Sequence, residues 1–454
     1  MFKILPFFFK NYYFSILFIY NNIIGMIKKI YEMTSQEITD FINNLLPVKK
    51  IEKDTFGEVF TNPVLINKLL DLFPSIIWND PFKKWLDPCT GSGFFMIFVY
   101  LRLMESLENW QPNSKKRSFH IIKNMLFMVE LNKNNCKICN NLFGTNINLI
   151  CNDFLEDSFN DLTFDCIVGN PPFQDFYGLN NNGKRILGGK NKLYERIFLK
   201  SYNLLNKNGY LSFIVPDNIF SGNGSECYKT LIQNSIPFIS FNPINQSFFP
   251  GIQQYICYFI MNKTNNLKNT TIDNGLNNFN IKLENRPVNP IRNWTLETEK
   301  LVKKYVSLQR NNSIYNRGKR LDSYSGNKYP IVYSNDKIIH TNNKNLAVGL
   351  GIKKAIIFSI SVNLDFKMDY TGNFGIGPNT FYIPFNRISQ GKKLEKFLNS
   401  NDYKTLVLAT KTTRQFLKIA LIEHLNLSKI MNSNYKFKSK KIIAKTNKSK
   451  TRKL

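Results

Sequence analysis

Residues 164–177 read FDCIVGNPPFQDFY. An apolar run ends on Asn170, and two prolines, Pro171 and Pro172, follow before the aromatics return with Phe173. Adjacent prolines remove two backbone donors and fix two φ angles. The residue before them is pushed out of the helical region. The product is a stiff loop with free carbonyls and one amide side chain held at a set angle. It is either a plain turn or a clamp for a group that needs hydrogen-bond acceptors. Three acids stand in comparable places: Asp87 opens the glycine-rich turn that holds Cys89, Gly91 and Gly93, Glu130 closes MLFMVE, and Asp153 follows NINLICN. For each acid alone a helix N-cap is the bland alternative, but it does not account for all of them together.

The elements that would carry these residues follow a regular order. Residues 62–73 have apolar positions at helical spacing and enter through a proline, as helix starts often do. Residues 83–95 predict a short strand, a glycine turn and a helix start that runs on toward Glu108. Residues 125–131, 146–153 and 164–173 each predict an apolar strand with a polar residue at its end. A helix over 192–205, a turn and a strand over 210–216 come next. Strands alternating with helices imply βαβ units and an α/β fold with a mostly parallel central sheet covered on both faces. Functional residues of such sheets lie just beyond the carboxyl ends of the strands, where Asp87, Glu130, Asp153 and Asn170 all fall. A dinucleotide site is disfavoured, because Phe94 and Phe95 follow Gly93 and no third glycine completes the fingerprint.

DPCTGSGFF, VEL, CNDF and GNPPF, in this order, resemble the cofactor and catalytic motifs of S-adenosylmethionine-dependent DNA adenine-N6 methyltransferases. TFGEVFTNP upstream resembles the further cofactor motif of the gamma-class arrangement, with Asn62 standing between Thr61 and Pro63 where the family reads Phe-Thr-Pro. The resemblance covers roughly residues 52–260 and implies a Rossmann-like methyltransferase domain that binds S-adenosylmethionine. Implied cofactor residues are Phe60, Thr61, Asp87, Cys89, Gly91, Gly93, Glu130, Asp153 and Asn170. Asp87 would hold the ammonium, Glu130 the ribose hydroxyls and Asp153 the exocyclic amine of the cofactor's adenine. Asn170, Pro171, Pro172 and Phe173 would be catalytic, the first two offering acceptors to the target amine and Phe173 a face for the base. No metal is expected. DNA is the implied partner, with the target base flipped out of the duplex.

Charge agrees with a polyanionic partner: 61 Lys and Arg against 32 Asp and Glu give a formal net charge of +29. That signal is discounted by composition, because the chain is crowded with Asn, Lys, Ile, Phe and Tyr, residues favoured by AT-rich codons. Seven cysteines, scattered and odd in number, read as reduced thiols, and the lone CxxC of Cys136 and Cys139 reads as one helix face rather than a zinc site.

The expected organisation is a leader and N-terminal helix over 1–45, the methyltransferase domain over 46–261, an Asn-rich linker or long surface loop over 262–285, a mixed α+β recognition domain over 286–435, and a basic tail over 436–454. The apolar start is broken by Lys10, Asn11, Asn21 and Asn22, short of the roughly 20 residues of a spanning helix, so stable membrane association is not expected and a cytoplasmic or viral-replication setting is. Residues 372–385 are a candidate DNA contact, with an ordinary hairpin as the equal alternative. Release-factor glutamine methyltransferases and RNA guanine-N2 methyltransferases carry similar Asn-Pro-Pro loops, so RNA and protein substrates remain alternatives, as does an inactive DNA-binding module. An orphan enzyme, or one paired with a separate restriction endonuclease, fits better than a fused nuclease.

Overall fold

The computed structural model describes residues 28–41 apart from 35 and 39, 61–173, 176–179, 185–187, 192–311 apart from 223, 250, 251 and 253, 315–316, 325–411 apart from 336, 360–363 and 379, and 417–431. Phe60, most of the leader and the basic tail lie outside them.

Helix α1 (Pro63–Leu70) starts where Asn62 accepts a hydrogen bond from the Val64 amide at 2.8 Å and Pro63 takes the first helical position. The residue that departs from the family motif is therefore the helix cap, the role its side chain suits best. Strand β1 (Trp85–Asp87) leads through the glycine turn into α2 (Phe94–Ser106). Next come β2 (Leu126–Val129), α3 (Lys133–Phe143), β3 (Asn148–Ile150) and β4 (Phe164–Gly169). Helix α4 (Leu193–Leu204), β5 (Leu205–Pro216), α5 (Glu226–Ile232), β6 (Ser235–Ser240) and β7 (Ile256–Asn262) follow.

These strands share one sheet in the order β3-β2-β1-β4-β5-β7-β6, and it continues through β8 (Thr270–Asp273) to β9 (Asn278–Ile281). Pairing is parallel from β3 to β5, while β7 runs antiparallel to both β5 and β6. Both faces are covered. Trp85, Leu126, Met128, Cys166, Val168 and Ile214 join the core beneath α1 and α2, and Leu86, Ile167, Leu211 and Phe213 are buried on the alternate positions. That double burial is why the strands read as near-continuous apolar runs.

The expected linker is a correction. Residues 270–281 form β8, parallel to β6, and β9, antiparallel to β8. The first compact unit extends to Asn285. Polar composition hid these strands because they lie at the sheet edge and bury little more than Thr270, Ile272 and Ile281.

The second compact unit takes Ser221–Gly224 and the chain from Arg286 onward. It holds an antiparallel sheet of Tyr315–Asn316, Thr380–Pro384, Lys354–Phe358 and Phe366–Asp369. A smaller three-stranded sheet and the helices Leu296–Tyr305, Ile388–Leu398 and Asn401–Thr410 accompany it. Inside it Lys354 and Asp369, both fully buried, pair at 2.6 Å. Asp369 also accepts from the amides of Gly372, Asn373 and Phe374 at 2.8–3.1 Å. The segment Ser221–Gly224 is held within this unit: the Ser221 carbonyl accepts from the Asn289 amide and from Lys418, and a Cβ on Gly222 would strike the Pro287 carbonyl at 2.2 Å. No helix among the described residues is long and apolar enough to cross a membrane.

Candidate active site

The site forms where β1, β2 and β4 end. Asp87 closes β1 with 1% of its surface exposed. Its Oδ1 accepts from the Cys89 amide at 3.1 Å, while Oδ2 is buried without a well-formed hydrogen bond. Burial pushes its carboxyl up to about 7; the Cys89 amide and the Thr90 hydroxyl oppose that rise and the charge of Glu130 adds to it. Burial, helped by the neighbouring carboxylates, also pushes the Cys89 thiol well above its ordinary range. The turn itself needs its glycines. Gly91 and Gly93 have φ of +57° and +86°, a region L side chains rarely adopt. A Cβ on Gly93 would lie 3.0 Å from the Phe143 ring, so α2 starts pressed against α3, whereas Gly91 faces open space.

Glu130 follows β2 and is pinned by two amides, accepting from Gly91 and from Asn132 at 2.7 Å each. It thereby ties the glycine turn to the start of α3, and each carboxylate oxygen keeps lone-pair capacity beyond its amide bond. Asp153, half-buried, caps its own turn by accepting from the Leu155 amide at 2.9 Å. Lys200 from α4 holds that turn from the other side, donating to the carbonyls of Leu155 and Asp157.

Asn170 stands one residue past β4. Its Nδ2 donates to the Thr61 hydroxyl at 3.0 Å, and its Oδ1 is buried with no hydrogen-bond partner. A buried carbonyl oxygen left bare costs free energy of about 1–3 kcal/mol, which folded chains accept where a water, an ion or a ligand completes the bond or where the group acts in catalysis. Pro171 is buried and Pro172 exposed. Phe173 is half-buried, its ring edge-on to Tyr194 at 6.5 Å and tilted to Phe249 at 6.4 Å. Gly169 joins the two halves of the site, since a Cβ there would lie 2.8 Å from Asp87 Oδ1.

The structure thus brings together Thr61 with Asn170, Asp87 with both Cys89 and Gly169, and Gly91 with Glu130. Asp153 is positioned by its own loop. Phe60 falls outside the described residues. Sequence reasoning passed over Gly169 and the buried Asp217, which follows β5; the strand-end rule applied once more would have found the latter. It also missed a disulfide. Cys136 and Cys151 are bonded, which joins the first turn of α3 to the residue after β3. The reading of all cysteines as thiols is corrected for that pair, while Cys89, Cys139, Cys166, Cys227 and Cys257 stand outside any disulfide. Spacing carries no signal for two cysteines that only the fold brings together.

Residues 93–244, from the second glycine of the turn to beyond β6, match the family described as Eco57I restriction-modification methylase. The likeness to that family is carried by this segment. Relatives of the chain include an uncharacterized adenine-specific methylase of Mycoplasma pneumoniae, 26% identical over 51% of this chain and 72% of its own length. Another is the modification methylase CviBIII of Paramecium bursaria Chlorella virus NC1A, 26% identical over 51% of this chain. The match spans just over half, 55%, of the viral methylase. Among solved structures, a nuclease-deletion mutant of the Type ISP restriction-modification enzyme LlaGI, in complex with a DNA substrate mimic, matches at a TM-score of 0.53 and 12% identity, covering 84% of this chain and 47% of that one. The Type IIL restriction-modification enzyme MmeI, in complex with DNA, matches at 0.50 and 13%, covering 81% and 68%. At these identities the likeness is one of fold, the mostly parallel sheet described above.

Proposed function

We propose that the chain is a DNA methyltransferase that moves a methyl group from S-adenosylmethionine to the N6 amine of adenine. The observation that carries this reading is the bare, buried Oδ1 of Asn170, an acceptor held ready beside two prolines. The family match and the viral relative support a modification methylase, and the name of the Mycoplasma relative supports adenine as the base. The adenine amine is a weak nucleophile because its lone pair is delocalised into the ring. Acceptors on its hydrogens concentrate density on nitrogen and stabilise the positive charge that develops there. Asn170 Oδ1 and the Pro171 carbonyl supply two such acceptors, aimed before the reaction begins. Phe173 offers the base an aromatic surface.

The donor set fits the cofactor. Asp87 has a buried carboxyl oxygen without a well-formed bond, suited to an ammonium, and the open space at Gly91 admits a ligand against the turn. Glu130 and Asp153 have acceptor capacity for hydroxyls and an amine. When bound, the cofactor supplies a methyl already activated on a sulfonium, so a general base of shifted pKa is not required. Recognition of the target sequence is assigned to the second unit, where Asp369 rigidifies residues 372–374, and the enzyme is either an orphan or paired with a separate restriction endonuclease.

The test is methyl transfer from labelled S-adenosylmethionine to unmodified duplex DNA, RNA and a release-factor protein in parallel, with Asn170→Ala alongside. N6-methyladenine in DNA alone, reduced by roughly 100-fold or more in the variant, is the expected result. Label in RNA or protein would overturn the substrate.

A further inference from the structure

Thr61 is implied by family resemblance to touch the cofactor. Its hydroxyl, however, spends its reach on Asn170: Oγ1 accepts from Nδ2 at 3.0 Å, across 109 residues of chain. Thr61 is itself only 6% exposed. Its place is fixed by the start of α1, where Asn62 caps the helix and Pro63 sets the first turn, and α1 is anchored through Leu65, Ile66, Leu69 and Leu70, all with no exposed surface.

An asparagine amide has two faces of nearly equal shape, one an acceptor and one a double donor. A half-turn about its last torsion exchanges them, and that torsion is soft. For an amine substrate the two orientations are opposites, since one receives its hydrogens and the other points hydrogens at hydrogens. The prolines fix the backbone of the loop but not this torsion. We infer that the Thr61 hydroxyl is the positioning group that holds the Asn170 amide by its nitrogen end and presents its oxygen to the target amine; the hydroxyl can itself donate or accept, so the amine's own hydrogens select this orientation while Thr61 fixes its place. The inference rests on the methyltransferase reading above. It gives the start of α1 a part in turnover rather than in cofactor affinity.

Thr61→Val keeps shape and removes the acceptor; Thr61→Ser keeps the acceptor and removes a methyl. The experiment compares wild type, both variants and Asn170→Ala for kcat on duplex DNA, for KM of DNA, and for the dissociation constant of S-adenosylmethionine by calorimetry, with thermal melting of each. Losing a hydrogen bond of ordinary net strength corresponds to about tenfold. The expected result is a kcat about tenfold lower in Thr61→Val, cofactor affinity and KM within about twofold of wild type, and recovery of most of the lost turnover in Thr61→Ser. Weakened cofactor binding with kcat retained at saturation would overturn the inference and return Thr61 to a cofactor contact. A serine variant as slow as the valine variant would overturn it also, because the hydroxyl would then not be the acting group. If Thr61→Val fails to fold, a serine variant with wild-type affinity but a tenfold lower kcat overturns the inference, and one with near-wild-type kcat sustains it. A wild type that methylates no adenine would instead remove the functional reading on which the inference stands, a result separable from all of these.

Discussion

Asp87 is an acid whose burial sets a measurable dependence on pH. Its carboxyl lies at about 7 in the folded chain against an ordinary 3.8, chiefly because burial penalises the charged form. The unfolded chain therefore releases this proton first. Between about pH 4 and pH 7 the unfolded state holds fewer protons at this site than the native state, so stability falls as pH rises through that window. The difference of roughly three pH units corresponds to about 4 kcal/mol, lost at close to 1.4 kcal/mol per unit and level above pH 7. Asp87→Asn keeps an acceptor for the Cys89 amide and cannot ionise. Native-state hydrogen exchange on the amides of β1 and β2, comparing wild type with the variant at each pH, cancels the titrating groups that do not couple to Asp87 and reads this unit alone. The variant should gain on wild type steadily from about pH 4 to pH 7 and then hold its lead. Added S-adenosylmethionine should reverse the trend, since an ammonium beside Asp87 favours the carboxylate. Its affinity for wild type should then climb about tenfold as Asp87 ionises between pH 6 and pH 8, and stay flat in the variant. Parallel stability curves for the two proteins would refute the argument.

Two further outcomes follow from contacts in the site and in the second unit. Gly169→Ala places a methyl 2.8 Å from Asp87 Oδ1, so the acid and the Asn-Pro-Pro loop must separate. Cofactor affinity and turnover should fall together, and a variant that loses only one of them would argue against the coupling. Asp369→Asn leaves Lys354 buried without its counter-charge, which should destabilise the second unit by about 3–5 kcal/mol and raise exchange at the amides of Gly372, Asn373 and Phe374, with the amides of β1 to β5 unmoved.

The parts of this architecture that the sequence revealed are those governed by local rules. A buried strand must be apolar and must end, so a polar residue at its end stands out; Asp87, Glu130, Asp153 and Asn170 were legible for that reason. Gly91 and Gly93 were legible because a left-handed turn before a helix has few alternatives to glycine. The remainder depends on distance in the chain. The Thr61–Asn170 bond spans 109 residues and the Gly91–Glu130 bond 39. Nothing in the composition of either partner announces the other. Strands β8 and β9, the last two at one end of the sheet, were hidden for a different reason, since they bury few side chains and need few apolar residues. The Cys136–Cys151 bond joins residues whose proximity only the α3–β3 packing creates.

The division of the chain into its two units has a bearing on any attempt to recombine them. The units are not consecutive stretches, because Ser221–Gly224 belongs with the residues from Arg286 onward while Ser225–Asn285 returns to the first unit. A graft joined at a single seam after Asn285 would leave the Ser221 carbonyl without its donors, Asn289 and Lys418, and would put an unrelated surface where Gly222 now closes on Pro287. A donor sequence has to bring its own counterpart of this four-residue excursion. Exchanging the second unit between such chains is thus a two-cassette operation, and the smaller cassette sits between β5 and α5, inside the half a designer would otherwise leave untouched.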